Sequence, residues 1–584
     1  MRERVQQRKP VAGAGALRAA CALVLLSGCS FNSAKPSVRL NACSSDADCS
    51  PGSHCQGGLC AMDSTAAFAI SLEVVPARAA SNAQALAIPL GPFNLTDATR
   101  RSFELPRPVT MFGYLHDGKT PVGANVSLTA IDAATGTPTA APIQASTVDP
   151  AAPDEGAFGV QLLDGVEYRV VVQPMDVSRP PHTFQLTAKD QGKIDLDYAK
   201  LKWTPAKFVI HGAPSGLSLM VRQLDKLSGE ALSNSAPLSA GAVTLLSDPG
   251  IKDWKLEITA EPSQTSSDAT KSNCDTTTPV FPVLTANDAD LGHDAQGNAT
   301  LSLPAIPEPI RYSGTVELCT SQSAQGLGRM SMTLDATAVR FADTTVPVTA
   351  SYKASTTANV DVSSGALRFC TRVLPGDYVV VVTPPANLHC DIFAQRRTIA
   401  TQNGADLTDE VLSFQKSAVL SGTIETTDQT PVSNASIDAV ALGRDLVLAA
   451  DDPSVASYNR SRQTTSNAEG AFELPVDVGS YDVVIKPPAE SNFAWQVLND
   501  VNVAARRSVF ATRVQVAAPV LMQGTLKYVG GDSAAQHSLA GADVHAYTRV
   551  GEGAQARNLE IGRCVADAAA GFTLLLPPSL HKGW

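Results

Sequence analysis

One phrase recurs along this chain of 584 residues, and no other feature constrains its fold as much. It reads "EGAFGVQLLDGVEYRVVVQP" at 155–174, "AGAVTLLSDPGIKDWKLEITAEP" at 240–262, "SGALRFCTRVLPGDYVVVVTP" at 364–384 and "NAEGAFELPVDVGSYDVVIKPP" at 467–488. A glycine turn opens a short apolar strand, a second turn follows, and an aromatic residue starts an alternating strand that a proline closes. "AAGFTLLLPP" at 569–578 is the same phrase cut short. Upstream of each copy a glycine sits in a short apolar strand: Gly113, Gly212, Gly314, Gly422 and Gly524, separated by 99, 102, 108 and 102 residues. Self-similarity at a fixed period is the mark of a repeat architecture.

The alternation identifies strands. Tyr481, Val483 and Ile485 share one face, as do Trp254, Leu256 and Ile258, and Tyr168, Val170 and Val172. Period-two patterning with one apolar face belongs to half-buried strands of an antiparallel sandwich. Proline after the aromatic strand ends ladder pairing. Tyr481 and its equivalents Tyr168, Trp254 and Tyr378 hold one place in this pattern, which predicts a core position with the hydroxyl satisfied at a turn. The closing prolines keep time as well. Pro174 precedes Gly212 by 38 residues, Pro384 precedes Gly422 by 38, Pro487 precedes Gly524 by 37, and Pro76, which ends "SLEVVP", precedes Gly113 by 37. The intervals therefore hold strands of their own.

A unit of roughly 100 residues with about seven short strands has the size of a β-sandwich. Composition agrees: 44% of residues are hydrophobic and only 17% charged, without long charged helix-forming stretches. The expected class is all-β, with tandem seven-stranded antiparallel sandwiches over 108–205, 206–309, 310–416, 417–518 and 519–584. The second is the weakest match and carries an inserted loop at 263–300. The fifth stops before its aromatic strand, which leaves a truncated product or a strand supplied from elsewhere. Residues 61–107 are expected to be a β-rich connector.

The N-terminus reads as a targeting segment. Arg2, Arg4, Arg8, Lys9 and Arg18 precede the apolar "AACALVLL", and "LSGC" ends at Cys29. This closely resembles the lipobox of bacterial lipoproteins. The resemblance implies a signal peptide over 1–28, cleavage before Cys29, lipidation of that cysteine and a tether over 29–42. Several acyl chains meet the need of stable anchoring for more than one. Ser30 follows the cysteine, not the aspartate that in many bacteria marks inner-membrane retention, so the outer membrane is implied, on its surface or its periplasmic face. An ordinary secretory signal with an incidental cysteine is the alternative.

Behind the anchor, "CSSDADCSPGSHCQGGLC" places Cys43, Cys49, Cys55 and Cys60 within eighteen residues. A segment this short has no core of its own, and an exported compartment permits two disulfides. The three pairings stay open. A zinc site is the runner-up, though no C-x-x-C pair is present. The stretch resembles small cysteine-rich modules behind the anchor of myxobacterial-type lipoproteins.

In the repeat itself, the order "SGTIETTDQTPVSNASIDAV" then "NAEGAFELPVDVGSYDVVIKPP" resembles the carboxypeptidase regulatory-like repeat, most clearly over 417–488 and more weakly in the other units. That family implies a transthyretin-like, prealbumin-type sandwich. It is an accessory module, so it implies a fold and not a reaction.

Chemistry is sparse. None of the nine histidines has a glutamate three residues on, and no H-E-x-x-H or G-x-S-x-G occurs. The expectation is no enzyme and no cofactor. Residues 1–28 hold five basic and one acidic residue. The remainder has 40 basic and 55 acidic residues, a net charge of −15, without basic runs. A nucleic-acid partner is set aside for that reason. The inserted loop carries Asp288, Asp290 and Asp294 in "NDADLGHDAQGN", which could hold calcium through oxygen ligands. The competing reading is a polar hairpin, because "HDAQGNATLSL" mimics "NAEGAFEL". Of the other cysteines, Cys370 with Cys390 and Cys274 with Cys319 are the expected bridges, leaving Cys564 unpaired.

These readings favour a lipid-anchored, non-catalytic binding or spacer protein with a protein or polysaccharide ligand and an open oligomeric state. The alternatives are an accessory subunit of a secreted hydrolase or envelope transport system, or a carbohydrate-binding surface protein.

Overall fold

The computed structural model describes residues 43–582 apart from 50–52, 57–58, 63–67, 78–87, 95–100, 133–138, 140–141, 148–155, 190–191, 227, 250, 261–279, 320–328, 340, 342–346, 361–365, 400–405, 444–458, 504–508, 511–512, 530–538 and 552–555. The expected signal peptide over 1–28, Cys29, the expected tether and Cys274 lie outside the described residues. Among those described, no helix is long and apolar enough to cross a membrane.

The fourth unit shows the plan. Its strands are Ala418–Glu425, Ser436–Gly443, Arg462–Thr465, Ala471–Val476, Gly479–Lys486 and Gln496–Val503, with a seventh split into Val509–Phe510 and Val514–Gln515. The fourth, first and seventh strands form one sheet, the seventh parallel to the first. The third, second, fifth and sixth form the other, all antiparallel. Tyr481, Val483 and Ile485 on the fifth strand face Leu420, Phe472 and Leu474 in the core between the sheets.

The repeated glycine and aromatic residue explain each other. Gly113 on the first strand of the first unit lies opposite Phe158 on its fourth, and Gly314, Gly422 and Gly524 lie opposite Phe369, Phe472 and Phe572. A Cβ on Gly113 would come within 2.0 Å of the Phe158 ring. Gly113 thus leaves room for the ring, which covers the bare backbone in return, and Gly524 does the same for Phe572; a Cβ on Gly314 would instead meet the Glu410 carbonyl of the seventh strand. The second unit lacks the pair: Phe208 stands at the glycine's place, opposite Val243, and Gly212, expected within the strand, lies just past its end.

The same two sheets recur in the first unit, from Pro108–Asp117 to Lys193–Asp197. In the second unit they run from Thr204–His211 to Ala299–Ser302, and in the third from Ile310–Glu317 to Leu407–Ser413, where the two are joined because Thr349–Val360 also pairs with Leu367–Val373. Between these last two units a sheet is continuous, because Val283–Asn287 pairs with Thr349–Val360. Part of the length expected to be an inserted loop is regular: 283–287 and 299–302 are the sixth and seventh strands of the second sandwich.

The fifth unit departs from expectation. Its first four strands are Val520–Tyr528, Asp543–Val550, Arg557–Val565 and Gly571–Leu576. Its remaining three come from residues 69–105, the segment expected to be a connector. Ala69–Val75 pairs antiparallel with Asp543–Val550, Ile88–Asn94 pairs with Ala69–Val75, and Arg101–Leu105 runs parallel to Val520–Tyr528. The fifth sandwich is thus filled by the other end of the repeat array. Ile70, Leu72, Val74, Ile88, Phe103 and Leu105 bury their side chains in its core. "ISLEVVP" is the aromatic strand of the repeat with isoleucine in the tyrosine's place, its closing Pro76 in register.

This clasp imposes a cyclic order on the five units. The seventh strand of each unit leads to the first strand of the next through a short link, ending and starting at 197 and 204, 302 and 310, 413 and 418, and 515 and 520. The fifth such link runs from Leu105 to Pro108 and joins the fifth unit to the first. Three residues span at most about 11 Å, so the first and fifth sandwiches are held side by side. Leu163 of the first unit accordingly joins the fifth unit's core cluster.

Candidate functional site

The cysteine module pairs Cys43 with Cys55 and Cys49 with Cys60, at Cα separations of 5.7 and 5.4 Å. Its sulfurs are therefore in bridges, and those of Cys43, Cys49 and Cys60 lie close together. The bridges hold a hairpin of Ser53–Gln56 and Leu59–Met62. Asp48 caps the preceding turn, accepting hydrogen bonds from the Ser44 and Ser45 amides at 2.7 and 2.9 Å. Those bonds, the Ser44 amide first, hold its carboxyl down at about 2. The module's second strand packs beside Val520–Tyr528.

Farther along, the expected bridges are corrected. Cys390 pairs with Cys319, not Cys370, at a Cα separation of 5.7 Å. The reason is topological. The seventh strand of the third unit runs parallel to the first, so both finish at one end, where the Phe414 amide donates to the Glu317 carbonyl. Cys319 follows the first strand, and Cys390 forms a bridge with Lys416 at the same end. Cys370 lies on the fourth strand opposite Ser313, away from that end, and is itself disulfide-bonded. Cys564 is free and buried.

Asp288, Asp290 and Asp294 are not brought together. Asp288 and Asp290 belong to a short 3-10 turn in which Asp290 accepts from the Asn287 side chain. Asp294 Oδ1 accepts from the Gln296 and Asn298 amides at 2.9 and 2.8 Å, while Oδ2 takes the Asn298 side chain. The Asn298 side chain, foremost among these donors, lowers its pKa. Asn467 and Asp567 make the same turn in the fourth and fifth units. Asp294 is thus a turn residue, as the polar-hairpin reading has it.

Tyr481 is buried, and its hydroxyl donates to the Asp477 carbonyl at 2.9 Å; Tyr378 does the same to Leu374 at 2.6 Å. Tyr168 instead accepts from the Leu163 amide at 3.0 Å. Each hydroxyl ties the aromatic strand to the turn before it.

Polar groups that the sequence did not single out gather at the junctions between units. Arg460 holds Asp477, which is fully buried, through Nε and Nη2 at 2.8 and 2.6 Å. It also donates across the joint to the carbonyls of Pro384 and Cys390 in the third unit. Asp477 accepts from the Ile392 amide, and Asp391 returns the contact from the Val478 amide. At the next joint Arg557 of the fifth unit bridges Asp482 and Asp500 of the fourth. Arg169 meets Glu230, and His182 meets Asp248, between the first and second. Of these charges Asp477 and Asp482 are buried, and each is held by an arginine; removing such a partner leaves an uncompensated buried carboxylate.

One outward face breaks the repeat. On the first strand of the first unit, Phe112 is 61% and Tyr114 39% exposed. They flank Gly113. At the two matching positions the other units carry Lys207 and Val209, Ser313 and Thr315, Ser421 and Thr423, and Gln523 and Thr525. His116 follows on the same face and stacks on Tyr114 with centroids 5.1 Å apart. On one flank Gly159 and Ala157 leave the rings uncovered. On the other, Lys193, Asp195 and Asp197 stand opposite Phe112, Tyr114 and His116. His116 Nε2 meets Asp195 at 2.9 Å. Desolvation works against the imidazolium, but the Asp195 contact, the Gly118 carbonyl and the charge of Asp197 raise its pKa above the usual value. Sequence reading passed over Phe112 and Tyr114; the four glycines that lie on first strands would have set them apart, but the second unit comes into register only at Phe208, four residues before its Gly212.

No family model matches the chain, and no curated protein matches it. Among solved structures, it is similar to two B repeat units of the collagen-binding protein of Staphylococcus aureus, with 11% identity, covering 70% of this chain and 99% of that one at a TM-score of 0.14. A streptococcal ancillary pilin shows 10% identity over 70% of this chain and 98% of its own, at a TM-score of 0.17. The major pilin subunit of Bacillus cereus shows 10% identity over 70% and 99%, at 0.13.

Proposed function

We propose that the chain is an exported, lipid-anchored, non-catalytic binding protein of the outer membrane that takes a polysaccharide on the outer sheet of its first sandwich. The carboxypeptidase regulatory-like resemblance fits a binding module of this kind. The observation that carries the reading is the pair Phe112 and Tyr114, present in one unit of five on an otherwise polar face. Two half-exposed rings supply far less than the roughly 800 Å² per partner of a specific protein interface. They do supply flat apolar faces for pyranose rings. Lys193, Asp195 and His116 stand beside them to bond sugar hydroxyls. Cyclic order also favours a platform over an extended spacer, since the fifth sandwich is tied back to the first. Cys29 supplies the anchor in this reading.

Two experiments test it. Retention of the mature protein on a panel of insoluble polysaccharides should identify at least one ligand. Phe112→Ala/Tyr114→Ala should weaken that binding about 5- to 150-fold, from aromatic contacts of about 0.5–1.5 kcal/mol each. Retention on none of the panel, or equal binding by the variant, refutes the site. Palmitate labelling should mark the wild type and not Cys29→Ala; an unlabelled wild type refutes the anchor.

A further inference from the structure

We propose that the clasp, residues 69–105, is exchangeable between molecules, so that the fifth sandwich is a docking site whose partner is a second copy of this chain. In the closed chain the clasp provides three of seven strands, spread over both sheets. Without it the fifth unit would expose the open edges of Asp543–Val550 and Val520–Tyr528 and the apolar face of Met522, Val544, Ala546, Phe572 and Leu574. An open edge beside an apolar face accepts added strands.

Three features make exchange between copies equivalent to closure within one. The clasp is held to the fifth unit by ladder bonds and apolar packing, and no disulfide among the described residues joins the two. It enters the first unit through Pro106 and Arg107 alone, so a donated clasp brings its own first unit against the acceptor's fifth. That joint is the one already present in the closed chain, with Leu163 in the same core. The exchanged and closed forms therefore share their contacts and differ in connectivity. The surfaces that meet are different, a clasp on one copy and a vacant half-sandwich on the other, so repeated exchange builds closed rings of copies or open filaments.

The test uses the full mature chain. In a Cys564→Ser background, Leu72→Cys/Ala546→Cys places cysteines directly opposite in the clasp register. After unfolding, refolding over a range of concentrations and oxidation, the expected product is a non-reducing ladder of monomer, dimer and higher species. Its intermolecular share should rise about tenfold per tenfold increase in concentration while small, as mass action requires. As a second measurement independent of the substitutions, wild-type chains with two different tags are refolded together and purified through both tags in turn. Recovery of mixed species supports exchange. A monomer-only ladder, together with no mixed species at any concentration, overturns it.

Discussion

Truncating two clasp residues, Ile70→Ala/Leu72→Ala, should unfold the fifth sandwich and leave the other four standing. The clasp buries Ile70, Leu72, Val74, Ile88, Phe103 and Leu105 almost completely. At about 1.5–3 kcal/mol per buried side chain, those six contribute roughly 9–18 kcal/mol as an upper estimate, since unfolded chains are already partly collapsed. A whole domain is stable by only about 5–15 kcal/mol, so the fifth unit depends on its clasp. Each truncation in a core costs about 2–5 kcal/mol. The two neighbours on one face couple, so the sum is not simple, but several kcal/mol suffice. Hydrogen exchange read by mass spectrometry on the full chain is the assay. Amides of the clasp strands Ala69–Val75, Ile88–Asn94 and Arg101–Leu105 and of Val520–Tyr528, Asp543–Val550, Arg557–Val565 and Gly571–Leu576 should lose protection together, while those of Gly479–Lys486 keep theirs. Glu104→Ala is the control: it removes an exposed ion pair to Lys527 and should change almost nothing. If Val520–Leu576 stays protected while the clasp alone exchanges, the fifth unit folds without it and the reasoning fails.

Other consequences follow from the joints and the module. Arg460→Ala strands the fully buried Asp477 carboxylate and should cost about 3 kcal/mol; a thermal midpoint unchanged from wild type would refute a role for that joint. Asp48 has a depressed pKa, so its stabilising hydrogen bonds are fully present above the ordinary carboxylate value and fade as pH falls toward about 2. An NMR titration of Asp48 should show that low midpoint, and an ordinary one would contradict the capping geometry. Peptide mapping without reduction should recover Cys43–Cys55, Cys49–Cys60 and Cys319–Cys390, with Cys564 alkylated only after denaturation; a Cys370–Cys390 peptide would restore the pairing expected from sequence.

Local order was legible in the sequence where neighbours along the chain are neighbours in space. The Tyr481 alternation, the glycine turns and the Asp294 hairpin are of that kind, since strand and turn chemistry act within a few residues. Bridge pairing was not, because proximity in sequence favoured Cys370 and Cys390 while the parallel seventh strand brings Cys319 to Cys390 instead. The clasp was half visible. Pro76 kept the repeat's spacing to Gly113 and "ISLEVVP" alternates, but isoleucine stands for tyrosine and the partner strand is hundreds of residues away. Arg460, Arg557, Phe112 and Tyr114 fell outside the reading because joints and outward faces leave no period of their own.

The clasp also sets the order in which the protein is able to fold. The Thr548 hydroxyl donates to the Ala69 carbonyl across 479 residues, whereas the strands of the fourth sandwich find one another within a hundred. Contacts of such long range are slow to form, because loop entropy must be overcome before they stabilise anything. In vectorial synthesis the first four sandwiches can each complete as they emerge, while strands 69–105 wait as unpaired edges for their counterparts. The last unit therefore reports on all that lies between its two halves. A lesion in any intervening sandwich that keeps the ends apart leaves the fifth unformed, and its open edge would mark that molecule for degradation or for pairing with another.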